Sequence, residues 1–185
     1  DGGNLPTLSS SGLSFTEATQ NIYFGSYDMT GKTLEIDVAS FSFAGSSSYH
    51  IRLAMISNST GSSATGTGPL IFKKDTGWKA YGQTASSGDN RAWSSSNWIT
   101  GTSSEVVNAF NGKTLKFVFG SDGHTLSLYA DDELVGTQTD IYYSNTSMRN
   151  LFIGGLNTKS QSGGDQCYNM TITGVRIYEN ESAGD

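Results

Sequence analysis

Apolar and polar residues alternate in short runs along most of the chain, and polar segments rich in Gly, Ser, Thr and Asn separate the runs. A period of two marks a strand with one buried face. It predicts strands at residues 12–15, 21–24, 32–43, 49–56, 69–73, 78–81, 113–119, 125–130, 133–138 and 169–179. In the last of these, Met170 and Ile172 share one parity while Val175 and Ile177 share the other. The break falls at Thr173-Gly174, and a glycine at a phase shift predicts a β-bulge. The long strand 32–43 carries a similar break. Leu34, Ile36 and Val38 face one way and Phe41 and Phe43 the other, which predicts a bend near Ala39-Ser40. In 49–56, Ile51, Leu53 and Met55 are expected inward, with His50 and Arg52 outward. Leu115, Phe117 and Phe119 form the inward set of 113–119.

Turn chemistry fits the same scheme. Asp75-Thr76-Gly77 predicts a hairpin, Ser121-Asp122-Gly123 a turn, and Asp131-Asp132 a second tight turn. Residues 57–68 and 82–104 are expected to be long polar loops, the second containing Trp93 and Trp98. Glu105 to Phe110 fits a helical turn or a strand, and periodicity does not separate the two. Many strands of similar length, with no convincing amphipathic helix, predict an all-β fold: an antiparallel β-sandwich or jelly roll. We expect a polar N-terminal arm at 1–11, one sandwich domain at 12–180 and a tail at 181–185.

Composition narrows the class. A chain of 185 residues suffices for one domain with a substantial core. An aromatic content of 11% argues against disorder. The net charge of −6, with no cluster of Lys or Arg, argues against nucleic acid as a partner. No apolar run is long enough to span a bilayer, so membrane insertion is not expected. The chain opens on Asp1-Gly2-Gly3-Asn4 with no leader, which predicts an excised or mature boundary. The single cysteine, Cys167, precludes an internal disulfide and is expected to be an inert, half-buried thiol.

Two stretches carry a family resemblance. One is Leu151-Phe-Ile-Gly-Gly155 followed by Ile172-Thr-Gly-Val-Arg-Ile-Tyr178. The other is Gly112-Lys-Thr-Leu-Lys-Phe-Val-Phe119 with Leu126-Ser-Leu-Tyr-Ala-Asp-Asp-Glu-Leu-Val135. Both resemble laminin-G-like jelly rolls of the concanavalin A-like lectin and glucanase superfamily, of the carbohydrate-binding-module type. Asp132 stands where that pattern has a turn glycine. The resemblance implies a concanavalin A-like sandwich, and the fold hosts many functions.

Glu35-Ile-Asp37-Val-Ala-Ser40 is similar to the catalytic strand of the superfamily's glucanases, but Ala39 or Ser40 occupies the position of the second glutamate. Glycoside hydrolysis needs two carboxyl groups across the scissile bond, so Glu35 and Asp37 are expected to be solvated carboxylates and the chain is not expected to be an enzyme. Sugar binding needs flat aromatic faces and planar hydrogen-bonding groups. The stretch from 78 to 98 supplies them: Trp78, Tyr81, Asp89, Asn90, Arg91, Trp93, Asn97 and Trp98. Tyr142 and Tyr143 form a second aromatic cluster, while Tyr23, Tyr27, Tyr49 and Tyr168 are expected to be structural. No cofactor is required. A structural calcium is the remaining candidate, since related sandwiches often hold one, with loops Gly120-Ser-Asp122-Gly and Gly163-Gly-Asp165 as places for it. Sequons stand at Asn58, Asn145, Asn169 and Asn180. Arg176 is expected to be a solvated or paired surface charge.

The sequence therefore predicts a non-catalytic carbohydrate-binding domain of a larger secreted or cell-surface protein. Its partner would be a glycan, bound through the residues between 78 and 98, and it would be tethered to other domains. A protein-binding adhesin domain is the alternative, and a glycoside hydrolase a third reading.

Overall fold

The computed structural model describes residues 5–16, 20–43, 51–57, 66–74, 78–81, 83–85, 91–93, 99–101, 103–139, 149–154 and 168–181. They form strands β1 (Thr7–Ser9), β2 (Gly12–Phe15), β3 (Asn21–Ser26), β4 (Lys32–Phe43), β5 (Ile51–Ser57), β6 (Gly66–Lys74), β7 (Trp78–Tyr81) and β8 (Gln83–Ala85). Strands β9 (Arg91–Trp93) and β10 (Ile99–Gly101) precede helix α1 (Ser103–Phe110). After it come β11 (Thr114–Phe119), β12 (Leu126–Ala130), β13 (Glu133–Gln138), β14 (Asn150–Gly154) and β15 (Tyr168–Glu179).

The strands make an antiparallel β-sandwich. A seven-stranded sheet runs β1-β2-β15-β4-β11-β12-β13 and a six-stranded sheet runs β10-β7-β6-β5-β14-β3, with β8 and β9 as a separate two-stranded ribbon. The N-terminal hairpin thus lies beside the last strand, and β15 is the neighbour of β4 along its whole length. The core lies between the sheets. Leu34, Ile36, Leu115, Phe117, Phe119, Leu126 and Leu128 enter it from the larger sheet, and Ala54, Ile56, Leu151 and Ile153 from the smaller. Every second residue of β11 and β12 is buried, as a one-sided strand requires. Phe110 at the end of α1 is also fully buried.

The two phase breaks meet in the sheet. Ser40 pairs with Thr171 and Val38 with Ile172, so Ala39 is an extra residue on β4; Asp37 pairs with Gly174, so Thr173 is an extra residue on β15. Adjacent bulges on partner strands let both change parity together. Phe41 and Met170 face the core on one side of the break, and Ile36 and Val175 do so on the other.

Several expectations are corrected. Leu53 is buried as expected, but Ala54 and Ile56, which pair with Ile153 and Leu151, enter the core as well. The register of β5 against β6 shifts twice, which breaks simple alternation. The segment 82–104 is not one loop: it holds β8, β9, β10 and the start of α1. Three-residue strands are too short to show a period. Residues 7–9, within the stretch expected as an arm, form the edge strand β1. Glu105 to Phe110 belongs to a helix. Asp89, Asn90, Asn97, Trp98, Tyr142, Tyr143, Cys167, the loop Gly163 to Asp165 and the sequons at Asn58 and Asn145 lie outside the described residues.

Candidate functional site

The outer face of the seven-stranded sheet carries a connected group of ionic contacts. Register sets them in rows. Arg176 on β15 is opposite Glu35 on β4, which is opposite Lys116 on β11, which is opposite Tyr129 on β12. In the next row Gly174 is opposite Asp37, which is opposite Thr114. Arg176 donates from Nε to Glu35 Oε1 at 2.7 Å, and its Nη2 donates both to that oxygen and to Asp37 Oδ1, the latter at 2.8 Å. The Tyr178 hydroxyl donates to Glu35 Oε2 at 2.6 Å, and Thr114 Oγ1 donates to Asp37 Oδ1 at 2.9 Å. Lys116 Nζ pairs with Asp132 in the β12–β13 turn.

Glycine 174 makes this arrangement possible. A Cβ there would run into Asp37 Oδ2 and lie 3.0 Å from Arg176 Nη1. The missing side chain is the space over which the guanidinium reaches Asp37. The sequence break at Thr173-Gly174 reported the bulge; the second duty of this glycine is set by its neighbours in the sheet.

Glu35 is only 9% exposed, so the expectation of a solvated carboxylate is corrected for it. Burial pushes its pKa up, but the Tyr178 hydroxyl and the Arg176 guanidinium more than offset this and hold it below the usual carboxylate range. Burial and the bond to Glu35 push the Tyr178 phenol up to about 12. A hydrolytic pair needs one carboxyl protonated. Here a single guanidinium bridges both carboxylates and Glu35 is held ionised. The cluster therefore fastens β4, β11 and β15, and the glucanase-like reading of Glu35 and Asp37 gains nothing from its geometry. Arg176 is paired, one of the two states expected of it. Tyr178 and Lys116 were not singled out in the sequence because their partners are defined only by register.

The structure places the proposed sugar-binding residues as follows. Trp78 and Tyr81 are the first and last residues of β7, where Trp78 pairs with Lys74 of β6 and Gly101 of β10. Arg91 and Trp93 bound β9, pairing with Ala85 and Gln83 of β8. Strand β8 runs beside β6. Backbone pairing thus sets Trp78 and Tyr81 on β7 between β6 and β10, and the separate ribbon that carries Arg91 and Trp93 approaches the same sheet through β8 and β6. Asp89, Asn90, Asn97 and Trp98 fall outside the described residues.

Of the two candidate calcium loops, Gly120 to Gly123 is described. Asp122 accepts bonds from the backbone N–H groups of His124 and Thr125, at 3.0 and 2.9 Å, and from the Thr125 hydroxyl. The Thr125 hydroxyl leads these donors, which together hold the Asp122 pKa at about 2. These contacts make it a turn-forming carboxylate. Among the described residues, no group of three or more His, Cys, Asp or Glu side chains could hold a metal ion.

Comparisons with known proteins agree on the fold. No protein-family model matches the sequence, and no curated protein matches it. Solved structures do. An alginate lyase from Pseudomonas aeruginosa superposes with a TM-score of 0.57 at 13% identity, over 96% of this chain and 87% of that one. An endo-beta-1,4-glucuronan lyase from the fungus Trichoderma reesei gives 0.53 at 11% identity, over 95% and 85%. A Trypanosoma rangeli sialidase gives 0.54 at 12% identity, over 96% of this chain but 27% of that one. The architecture is a jelly-roll sandwich. These structures also correct one expectation. The chain was expected not to be an enzyme, yet the structures that share its fold are mainly enzymes, including these two lyases and the sialidase, so a non-catalytic assignment does not stand.

Proposed function

We propose that the chain is a carbohydrate-active jelly roll of laminin-G-like type that engages a polysaccharide outside the cell, as one domain of a larger protein. Its site comprises Trp78, Tyr81, Asp89, Asn90, Arg91, Trp93, Asn97 and Trp98. The observation that supports this reading is that β7, with Trp78 and Tyr81, pairs with β6, and that the ribbon with Arg91 and Trp93 lies beside the same strand β6. Tryptophan supplies the flat face that stacks on a pyranose, and Arg, Asn and Asp supply directed bonds to its hydroxyls. The superposed alginate lyase, glucuronan lyase and sialidase support a carbohydrate as the ligand.

A glycan array probed in parallel with the parent chain and with Trp93→Ala and Trp98→Ala tests the site. Both variants should lose binding by about tenfold or more, as for loss of a stacking aromatic. Unchanged binding in both would sink the site. Each bound polysaccharide should also be incubated with the chain and assayed for new reducing or unsaturated ends, which reports turnover separately from binding.

A further inference from the structure

At the far edge of the six-stranded sheet from β7, an open cleft of about 440 Å³ lies between the two sheets. It is lined by Phe24, Tyr27, Lys32, Ile177, Tyr178 and Glu179. Its walls are set by three local devices. In β3 the register against β14 shifts: Leu151 pairs with Gly25 and Phe152 with Tyr23, leaving Phe24 as the extra residue of a bulge. A bulge re-aims a side chain. Tyr23 is freed to lie against Phe152, ring centroids 5.2 Å apart, while Phe24 lines the cleft. Gly25 has a φ of +131°, which suits glycine, and a Cβ there would lie 3.1 Å from the Tyr27 ring. The Tyr27 hydroxyl in turn donates to the Phe24 carbonyl at 3.2 Å. On the opposite wall Ile177 packs against the core and Lys32 pairs with Glu179 at the rim, while the Tyr178 side chain is held on the outer face of its sheet by Glu35.

We infer that this cleft is a second sugar-binding site, taking a neutral pyranose unit of a polysaccharide chain. The inference rests on the proposed function for its ligand class and on this geometry for its place. Phe24 is 36% exposed, so aromatic surface remains open to a ligand beside Tyr27. Exposed aromatic faces beside polar groups are what a pyranose needs, one side apolar and one edge of hydroxyls. Lys32 offers donors and Glu179 acceptors for those hydroxyls. The cation at the rim is already neutralised by Glu179, and the chain carries a net charge of −6, so nothing here favours an acidic sugar. The volume lies within the range of small-ligand clefts, about 300–1,000 Å³. Tyr27, expected from the sequence to be purely structural, becomes a wall of the site, and the bulge in β3 acquires a purpose.

The test is an NMR titration of the full chain with cellohexaose, laminarihexaose and xylohexaose, and with an oligoglucuronate as the acidic probe. The backbone amides of Gly25, Tyr27 and Tyr178 should shift with at least one neutral probe. Phe24→Ala and Glu179→Gln should each weaken that response by about fivefold or more, with thermal midpoints close to the parent's. Shifts confined to the indoles of Trp78, Trp93 and Trp98 would overturn the cleft while leaving the tryptophan site standing. Shifts confined to the cleft would support it and overturn the tryptophan site. Unaltered affinity in both variants, preference for the oligoglucuronate, or no shift with any probe would each overturn the cleft.

Discussion

Asn180 joins three parts of the larger sheet. Its side-chain oxygen accepts the Thr33 hydroxyl at 2.7 Å, its amide donates to the Phe119 carbonyl at 2.8 Å, and its backbone N–H donates to Gly31 at 2.8 Å. The sequence marked it as a sequon, but an amide nitrogen committed to Phe119 is a poor acceptor for a glycan. Asn180→Ala should cost about 1–2 kcal/mol in urea unfolding, since it leaves part-buried groups unpaired. Ionisable residues set the pH range. Glu35, Asp28 and Asp122 are all held below their ordinary pKa in the fold, Asp122 at about 2. A depressed carboxylate adds stability that is present at neutral pH and lost as pH falls toward the folded value. Tyr178 has the opposite sense: raised from 10.0 to about 12, it adds stability that is intact below pH 10 and lost as pH rises toward 12. Lys116, held charged by its bond to Asp132, adds to the same alkaline limb. The thermal midpoint should therefore be flat near neutrality and fall at both ends, and Tyr178→Phe should blunt the alkaline fall.

Among the elements, β15 and β4 carry the most specific design, because their bulges must coincide. Gly174→Ala places a methyl group against Asp37 and Arg176 and should destabilise the chain by about 1–3 kcal/mol. Asp37→Ala removes the obstructing carboxylate, so the double variant should lose less than the sum of the two single losses. Additive losses would show that Gly174 matters for the backbone alone. The β12–β13 turn offers a contrasting test. Asp131 and Asp132 have φ values of 48° and 68°, as a two-residue hairpin turn requires. A residue other than glycine is strained there by about 1–2 kcal/mol, less for Asp, while the exposed bond from Lys116 to Asp132 is worth below about 1 kcal/mol. Asp132→Gly should raise the thermal midpoint slightly. The departure of this turn from the laminin-G-like pattern is thus a local strain that the hairpin tolerates. Both phase breaks were legible in the sequence because a bulge inverts parity for every residue after it. The bulge at Phe24 was not, because β3 is short and two adjacent aromatics carry no period.

For the whole molecule, the core between the sheets is the dominant stabilising feature. Phe117 is fully buried in it, and Phe117→Ala should cost about 3–5 kcal/mol in denaturant unfolding. The same substitution at Tyr23, which is 47% exposed, should cost far less. Such a core forms from residues far apart in sequence: β2 and β15, close to the two ends of the chain, are neighbours in one sheet.

The sequence by itself determined the fold class, most of the longer strands, the inward faces of β4 and β11, and the two parity breaks. These follow from the period of two, which each strand carries within itself. Only the tertiary structure decided which outward residues meet. Glu35 lies 141 positions from Arg176 and 143 from Tyr178, on a different strand, and whether their side chains meet depends on strand order and register. A one-residue slip would separate all of them. The cleft is a further case: Phe24 and Ile177 come from different sheets, and no local pattern could bring them together. The tryptophan positions are intermediate. Their residue types marked them in the sequence, but only the pairing of β7 with β6, and the place of the β8–β9 ribbon beside β6, decided which strands they share a neighbour with.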